Sequence, residues 1–144
     1  MAALTKPYES FERPGLVTAY KMASIKIYKG ALVGVNSSGL AVAMAHGTAS
    51  LRFVGIANET VDNTANSGKT LNVTKSGSFV FAPYTGYTPA AADVGAEIYG
   101  VTDWEVQLST SGLTNAYKVG TVTALEKTST GASGVRVRID KHSV

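Results

Sequence analysis

The chain has 144 residues, thirteen Lys and Arg against ten Asp and Glu, a formal charge of +3 and no cysteine. Missing cysteine excludes a disulfide framework and any thiolate metal site, and the basic residues are scattered, so the charge balance does not point to nucleic acid. This length supports one domain burying roughly 68–70% of the surface its unfolded form exposes. No apolar run approaches the roughly 18 residues of a membrane span, and Met1-Ala2-Ala3-Leu4-Thr5-Lys6 has no hydrophobic signal core before Pro7. The expectation is a soluble protein made in a cytoplasm, with no membrane or nucleic-acid partner.

Residues 1–16 read differently from the rest. Pro7 and Pro14 fix the backbone locally, and Tyr8, Phe11 and Leu16 stand among Lys6, Glu9, Glu12 and Arg13 without a period. This is the composition of an extended arm. Sixteen extended residues reach at most about 50–55 Å, against a radius of gyration near ~14 Å for the remaining domain, residues 17–144. Aromatic residues in such an arm suit docking on a partner better than solvation.

Strand signals follow closely. Thr18, Tyr20 and Met22 alternate with Val17, Ala19 and Lys21; Ile25 and Ile27 flank Lys26; Ala31-Leu32-Val33-Gly34-Val35 is a nearly continuous apolar run. Asn36-Ser37-Ser38-Gly39 is a turn by composition, and residues 40–45 read as a loop or short strand. Residues 51–57 form a buried strand, 58–67 an exposed loop, and 70–74 and 78–81 two strands joined by Lys75-Ser76-Gly77 as a hairpin turn. Ala90-Ala91-Ala92-Asp93 is one helical turn. Strands resume at 96–101 and 104–108, where Trp104, Val106 and Leu108 alternate with Glu105 and Gln107. After residues 117–125 and a loop, Val135, Val137 and Ile139 alternate with Arg136, Arg138 and Asp140 in a half-buried closing strand. About ten short strands so spaced predict an all-β sandwich or small barrel.

Few residues suggest chemistry. Ser67-Gly68-Lys69-Thr70 matches the end of a phosphate-binding loop, but the first glycine of that pattern would fall at Asn63 and an alternating strand follows where a helix is needed. His46 and His142 are far apart, and His46 reads as a solvated loop residue. Asp93, Glu97, Asp103 and Glu105 could supply a paired carboxylate site, although no calcium-loop spacing accompanies them. Trp104, Tyr84, Tyr87 and Tyr99 could form a sugar-stacking platform, or core or interface. Arg136 and Arg138 share one strand face, which solvent explains as well as phosphate does. Neither a cofactor nor a catalytic residue is expected.

The order of the pieces carries a resemblance. Tyr28-Lys29-Gly30-Ala31-Leu32-Val33, Phe53-Val54-Gly55-Ile56-Ala57, Ser76-Gly77-Ser78-Phe79-Val80-Phe81, Asp93-Val94-Gly95-Ala96-Glu97-Ile98-Tyr99, Lys118-Val119-Gly120-Thr121-Val122 and Gly134-Val135-Arg136-Val137-Arg138-Ile139, in that sequence over residues 17–140, resemble the capsid cement or decoration proteins of tailed bacteriophages. The resemblance implies a small antiparallel β-barrel or β-tulip-like domain with an extended N-terminal arm. It also implies a structural protein, not an enzyme, that sits as a homotrimer on the outer capsid surface of the virion and bridges subunits of the major capsid protein. In that setting the arm, with Tyr8, Phe11 and Arg13 as capsid-binding residues, would add a strand to a partner's sheet edge, and many copies would multiply modest contacts. The rival readings are a carbohydrate-binding or adhesin β-module using Trp104, and an enzyme using an acidic pair within residues 93–105.

Overall fold

The computed structural model describes residues 16–140, and Tyr8, Phe11 and Arg13, expected from the resemblance to bind a capsid, and the second histidine, His142, lie outside them. The fold is all-β. Twelve strands are β1 (Val17–Lys21), β2 (Lys26–Ile27), β3 (Leu32–Val35), β4 (Ala41–Ala43), β5 (Arg52–Ala57), β6 (Val61–Asp62), β7 (Thr70–Thr74), β8 (Ser76–Pro83), β9 (Glu97–Gly100), β10 (Glu105–Gln107), β11 (Tyr117–Lys127) and β12 (Ser133–Asp140). The helical turn expected near residue 90 is a single 3-10 turn, Ala91–Asp93.

Strands β1, β7, β5, β3 and β4 form one sheet in that order, and β8, β12, β11, β9 and β10 form a barrel that closes between β10 and β8. Chain order and pairing order match between the two sets, so the molecule is built from two units on one plan. The registers agree residue by residue. Val33 faces Gly55 and Leu32 faces Ile56 in the first unit, while Ile98 faces Gly120 and Glu97 faces Thr121 in the second. Ile56 and Ala57 face Thr74 and Val73, and Thr121 and Val122 face Arg138 and Val137. Matching backbone bonds run from Gly30 N–H to Ala57 O and from Gly95 N–H to Val122 O, each 2.8 Å, and from Asn36 N–H to Leu40 O and Val101 N–H to Glu105 O.

Both units carry a bulge at the same place, Val54 on β5 and Val119 on β11, and a glycine follows each. A Cβ on Gly55 would stand 2.2 Å from the Thr74 carbonyl oxygen, and one on Gly120 would stand 2.2 Å from that of Arg138. No side chain fits at either strand crossing, so glycine there is a packing requirement of the repeated plan.

The first unit closes less completely than the second. A single parallel bridge, Met22 to Ala41, joins its outer strands, whereas two residue pairs, Glu105 with Ala82 and Val106 with Pro83, join β10 to β8. The β10–β8 contact is parallel, at the seam of a barrel whose other pairings are antiparallel, as the resemblance implied. Leu71, Val73, Val33, Val54 and Ala41 fill the first unit, and Val135, Val137, Ile98, Val119 and Val106 fill the second. Leu32, Met44, Leu51, Phe53 and Ile56 belong to the second cluster, so the outward face of the first sheet is buried against the second barrel.

Three local expectations are corrected. Lys75-Ser76-Gly77 is not a hairpin turn: β7 pairs with β1 and β5, β8 pairs with β12 and β10, and the segment is the crossover between units. Residues 58–67 are not simply an exposed loop. They contain β6, and Asn63 is fully buried, where its Nδ2 donates to the carbonyls of Met22 and Ala23 at 3.2 Å and its Oδ1 accepts from the backbone of Ser67 and Lys69. A compact turn can thus replace apolar filler at the mouth of a barrel, because every polar atom of the buried amide is satisfied. Finally, Val106 is buried as expected, but Gln107 is buried too and Trp104 is exposed, which breaks the alternation expected across residues 104–108: the Gln107 amide donates to the carbonyls of Ser109 and Ser111 and so can be internal.

Candidate interaction surface

Trp104 is held out by the turn before β10. Val101 N–H donates to the Glu105 carbonyl, the Thr102 hydroxyl accepts from the backbone of Glu105 at 3.1 Å and donates to its carboxylate, and Asp103 O accepts from Leu32 N–H. The carbonyl of Trp104 accepts from Ala82 N–H at 3.2 Å, which pins the residue to the edge of β8. The residue is 58% exposed.

The indole forms one wall of a groove of about 560 Å³, with Val80, Phe81 and Ala82 as the floor and Lys127, Thr128, Ser129 and Thr130 opposite. The opposite wall is the β11–β12 hairpin tip, tightened by Thr128 N–H to Ala132 O at 2.8 Å and by a hydroxyl contact between Thr128 and Thr130 at 3.0 Å. Gly131, at φ +84°, lets that tip reverse.

The floor is also a strand edge. Ala82 N–H points toward β10, and backbone groups two residues apart point the same way, so Val80 and Ser78 present theirs to the same side. Among the described residues no strand runs along β8 before Ala82 on that side. Strand β8, Ser-Gly-Ser-Phe-Val-Phe-Ala-Pro, carries no charge. In the first unit the position matching Ala82 is Lys21 and the position matching Trp104 is Gly39, so that unit lacks the indole, although among the described residues its terminal strand β1 pairs only with β7.

The other predicted site residues are scattered. Asp93 Oδ2 accepts from the Tyr87 hydroxyl at 3.0 Å and from Ala90 N–H, and burial, reinforced by that carboxylate, pushes the Tyr87 phenol well above its usual range. Glu97 pairs with Lys118 at 3.1 Å on the surface, and Glu105 is engaged by Thr102. Each of these three acids is thus committed to a local contact. Tyr84, Tyr87 and Tyr99 are half-buried and do not line the Trp104 groove, so the four aromatic residues form no common platform there. Lys69 Nζ donates to the Asp62 carbonyl, and its backbone closes the Asn63 turn in place of a phosphate loop. Arg136 reaches Thr123 and Glu126.

His46, expected to be solvated, is half-buried and acts as a clasp. Its Nδ1 accepts from Thr114 N–H at 3.1 Å and its carbonyl accepts from the backbone and side chain of Asn115. Among the described residues, no group of three or more His, Asp or Glu is placed to hold a metal. Sequence reasoning missed the edge of β8 because exposure there depends on which strand fails to pair. The uncharged run from Ser76 to Pro83 was the available signal. Comparison with protein-family models, curated proteins and solved structures gives no match to this chain.

Proposed function

We propose that this chain is a structural capsid cement protein of a tailed bacteriophage, acting as a trimer that binds the outer surface of an assembled head and bridges major capsid protein subunits. The single observation that carries the reading is an uncharged strand edge, without a strand partner before Ala82 among the described residues, beside the exposed Trp104. Such a surface suits adhesion to another polypeptide. The ordered motifs behind the resemblance support it too, since they supply the strands and tight glycine crossings of both units. Residues 1–16 add a second point of attachment through Tyr8, Phe11 and Arg13.

The test is co-sedimentation of the purified chain with heads lacking this protein. Saturable coating is expected, and deletion of residues 1–16 leaves a folded domain with reduced occupancy. Absence of coating by the full chain overturns the reading. One observation favours a second reading, a carbohydrate-binding module: Trp104 shares its groove with Thr128, Ser129 and Thr130. Saturable glycan binding abolished by Trp104→Ala would establish that alternative.

A further inference from the structure

We infer that His46 is a proton-operated clasp between the two units: with its imidazole neutral it holds the β10–β11 loop of the second unit against the β4–β5 loop of the first, and protonation releases that loop. The inference does not depend on the proposed function. The strand orders make β4 and β5 the counterparts of β10 and β11, so the two connections, residues 44–51 and 108–116, are equivalent loops, and the fold joins them at two points. At the first, His46 Nδ1 accepts from Thr114 N–H at 3.1 Å, and the His46 carbonyl accepts from Asn115 N–H at 3.1 Å and from Asn115 Nδ2 at 2.9 Å. At the second, the Tyr117 hydroxyl donates to the Thr48 carbonyl and accepts from Leu51 N–H at 3.1 Å. Met44 and Leu51 of the first loop are buried in the shared core, and Leu108 and Tyr117 pack against it, so the joint sits at the rim of that core.

The first point is the one a proton can undo. A neutral imidazole accepting at Nδ1 carries its hydrogen on Nε2, whereas the charged ring has a donor at both nitrogens. Protonation therefore sets an N–H where the Thr114 N–H already points, and the ring or the loop must turn away. Either way Thr114 loses its partner. Histidine is the side chain whose charge ordinarily changes between about pH 5 and 8, and neither loop carries another titratable side chain. On the adjoining elements the titratable groups are Glu97 and Tyr99 on β9, Asp103 and Glu105 at or just before the start of β10, Arg52 on β5, and Tyr117 and Lys118 on β11. Glu97 pairs with Lys118, the Glu105 carboxylate accepts from the Thr102 hydroxyl, and among the described residues no ion pair reaches His46. An imidazolium here loses its acceptor and gains no carboxylate, so the bond is present above the titration of the ring and is lost as pH falls through it.

The experiment measures amide hydrogen exchange on the full chain from about pH 8 to about pH 5, with wild type compared against His46→Asn and His46→Ala. Asparagine places an acceptor oxygen where imidazole places Nδ1 and does not titrate, so it separates the proton from the bond. The amides of Thr114 and Asn115, which donate to His46, are the reporters, and the Leu51 amide, which donates to Tyr117, is the internal control. In wild type the protection of Thr114, corrected for the intrinsic pH dependence of exchange, is expected to fall about tenfold or more on acidification, while that of Leu51 holds. In His46→Asn the Thr114 protection is expected to stay level across the range, and in His46→Ala to be low throughout. His142 is present in all three chains, so a difference between them belongs to His46.

Level protection of Thr114 in wild type overturns the proposal. So does an equal fall in His46→Asn, which would assign the response to other groups such as Asp103 or Glu105. A fall shared by Leu51 and by β12 is general acid unfolding and overturns the clasp as well. Should either variant fail to fold, the nitrogen spectrum of the wild-type imidazole decides: a proton on Nε2 at high pH, with Nδ1 gaining its own as Thr114 loses protection, upholds the proposal, and a proton on Nδ1 at high pH overturns it.

Discussion

Val33, Gly55 and Val73 in the first unit stand where Ile98, Gly120 and Val137 stand in the second, and the strand order around them is the same. The units differ in how they finish that plan. The first closes by one bridge and packs a polar turn around Asn63 against the backbone of Met22 and Ala23. The second closes its seam with two residue pairs and uses a short hairpin in place of the Asn63 turn. The same frame has therefore diverged into a half finished by side-chain hydrogen bonds and a half finished by strand pairing.

If the glycines are requirements of the shared plan, both must resist substitution, and this is the largest effect expected. Gly120→Ala pushes a Cβ into the Arg138 carbonyl and Gly55→Ala into that of Thr74, at a cost of about 3 kcal/mol or more each. Gly55 also sits at φ +146°, which adds strain that Gly120 does not carry. Denaturant melts should place Gly55→Ala as the less stable of the two. Equal stability to wild type for either variant would break the equivalence of the units.

The next test separates the halves. Asn63→Ala removes four side-chain hydrogen bonds to the backbone of residues 22, 23, 67 and 69, and leaving buried carbonyls unmet costs about 1–3 kcal/mol or more. Hydrogen exchange should accelerate in β1, β2 and β6 and stay near wild type in β11 and β12. A uniform loss of protection would mean that the shared core makes the two units unfold as one.

These two tests also mark how far the sequence could be read. Alternation exposed most strands, including β7 and β12, because a half-buried strand writes its two faces directly into residues such as Leu71 and Val73 or Val135 and Val137. The duplication was less visible. Its trace is Gly30-Ala31 and Val54-Gly55 returning 65 residues later as Gly95-Ala96 and Val119-Gly120, but the intervening side chains differ because each unit packs against different neighbours. The Lys75 crossover was misread because a short polar link between two strands looks the same whether they pair or part. Trp104 was misplaced because alternation gives parity along a strand and not where the strand begins. Burial of Asn63 depends on contacts to residues some forty positions away, which local composition cannot show.

A third comparison concerns one pair of positions with two chemistries. Tyr20 and Phe81 are equivalent, as are Lys75 and Ile139, by the registers of β1 with β7 and of β8 with β12. The buried Lys75 ammonium donates to the Tyr20 hydroxyl at 2.6 Å, whereas the second unit fills the same two positions with hydrocarbon. Tyr20→Phe is expected to cost about 1.5–3 kcal/mol, since it withdraws an acceptor from a buried charge. In the double variant Tyr20→Phe with Lys75→Ile the losses should not add, and a coupling of about 0.5–3 kcal/mol should appear in a double-mutant cycle. Additive losses would mean the pair is not a unit.

The smallest effect expected is a pH dependence belonging to the first unit alone. Asp62 Oδ1 accepts from Thr64 N–H at 3.0 Å and from the Thr64 hydroxyl at 2.7 Å. These bonds, the backbone one first, together with nearby Lys26 and Lys69, hold the carboxyl below its ordinary value of 3.8. Because the folded value is the depressed one, the stabilisation is fully present above the ordinary value and is lost as pH falls through the lowered one. Asp62→Asn should therefore flatten the acid limb of the stability curve slightly and leave Val135, in the second unit, unaffected in exchange experiments. A carbon-detected titration placing the Asp62 midpoint at or above 3.8 would remove the turn from the list of devices that set the first unit apart.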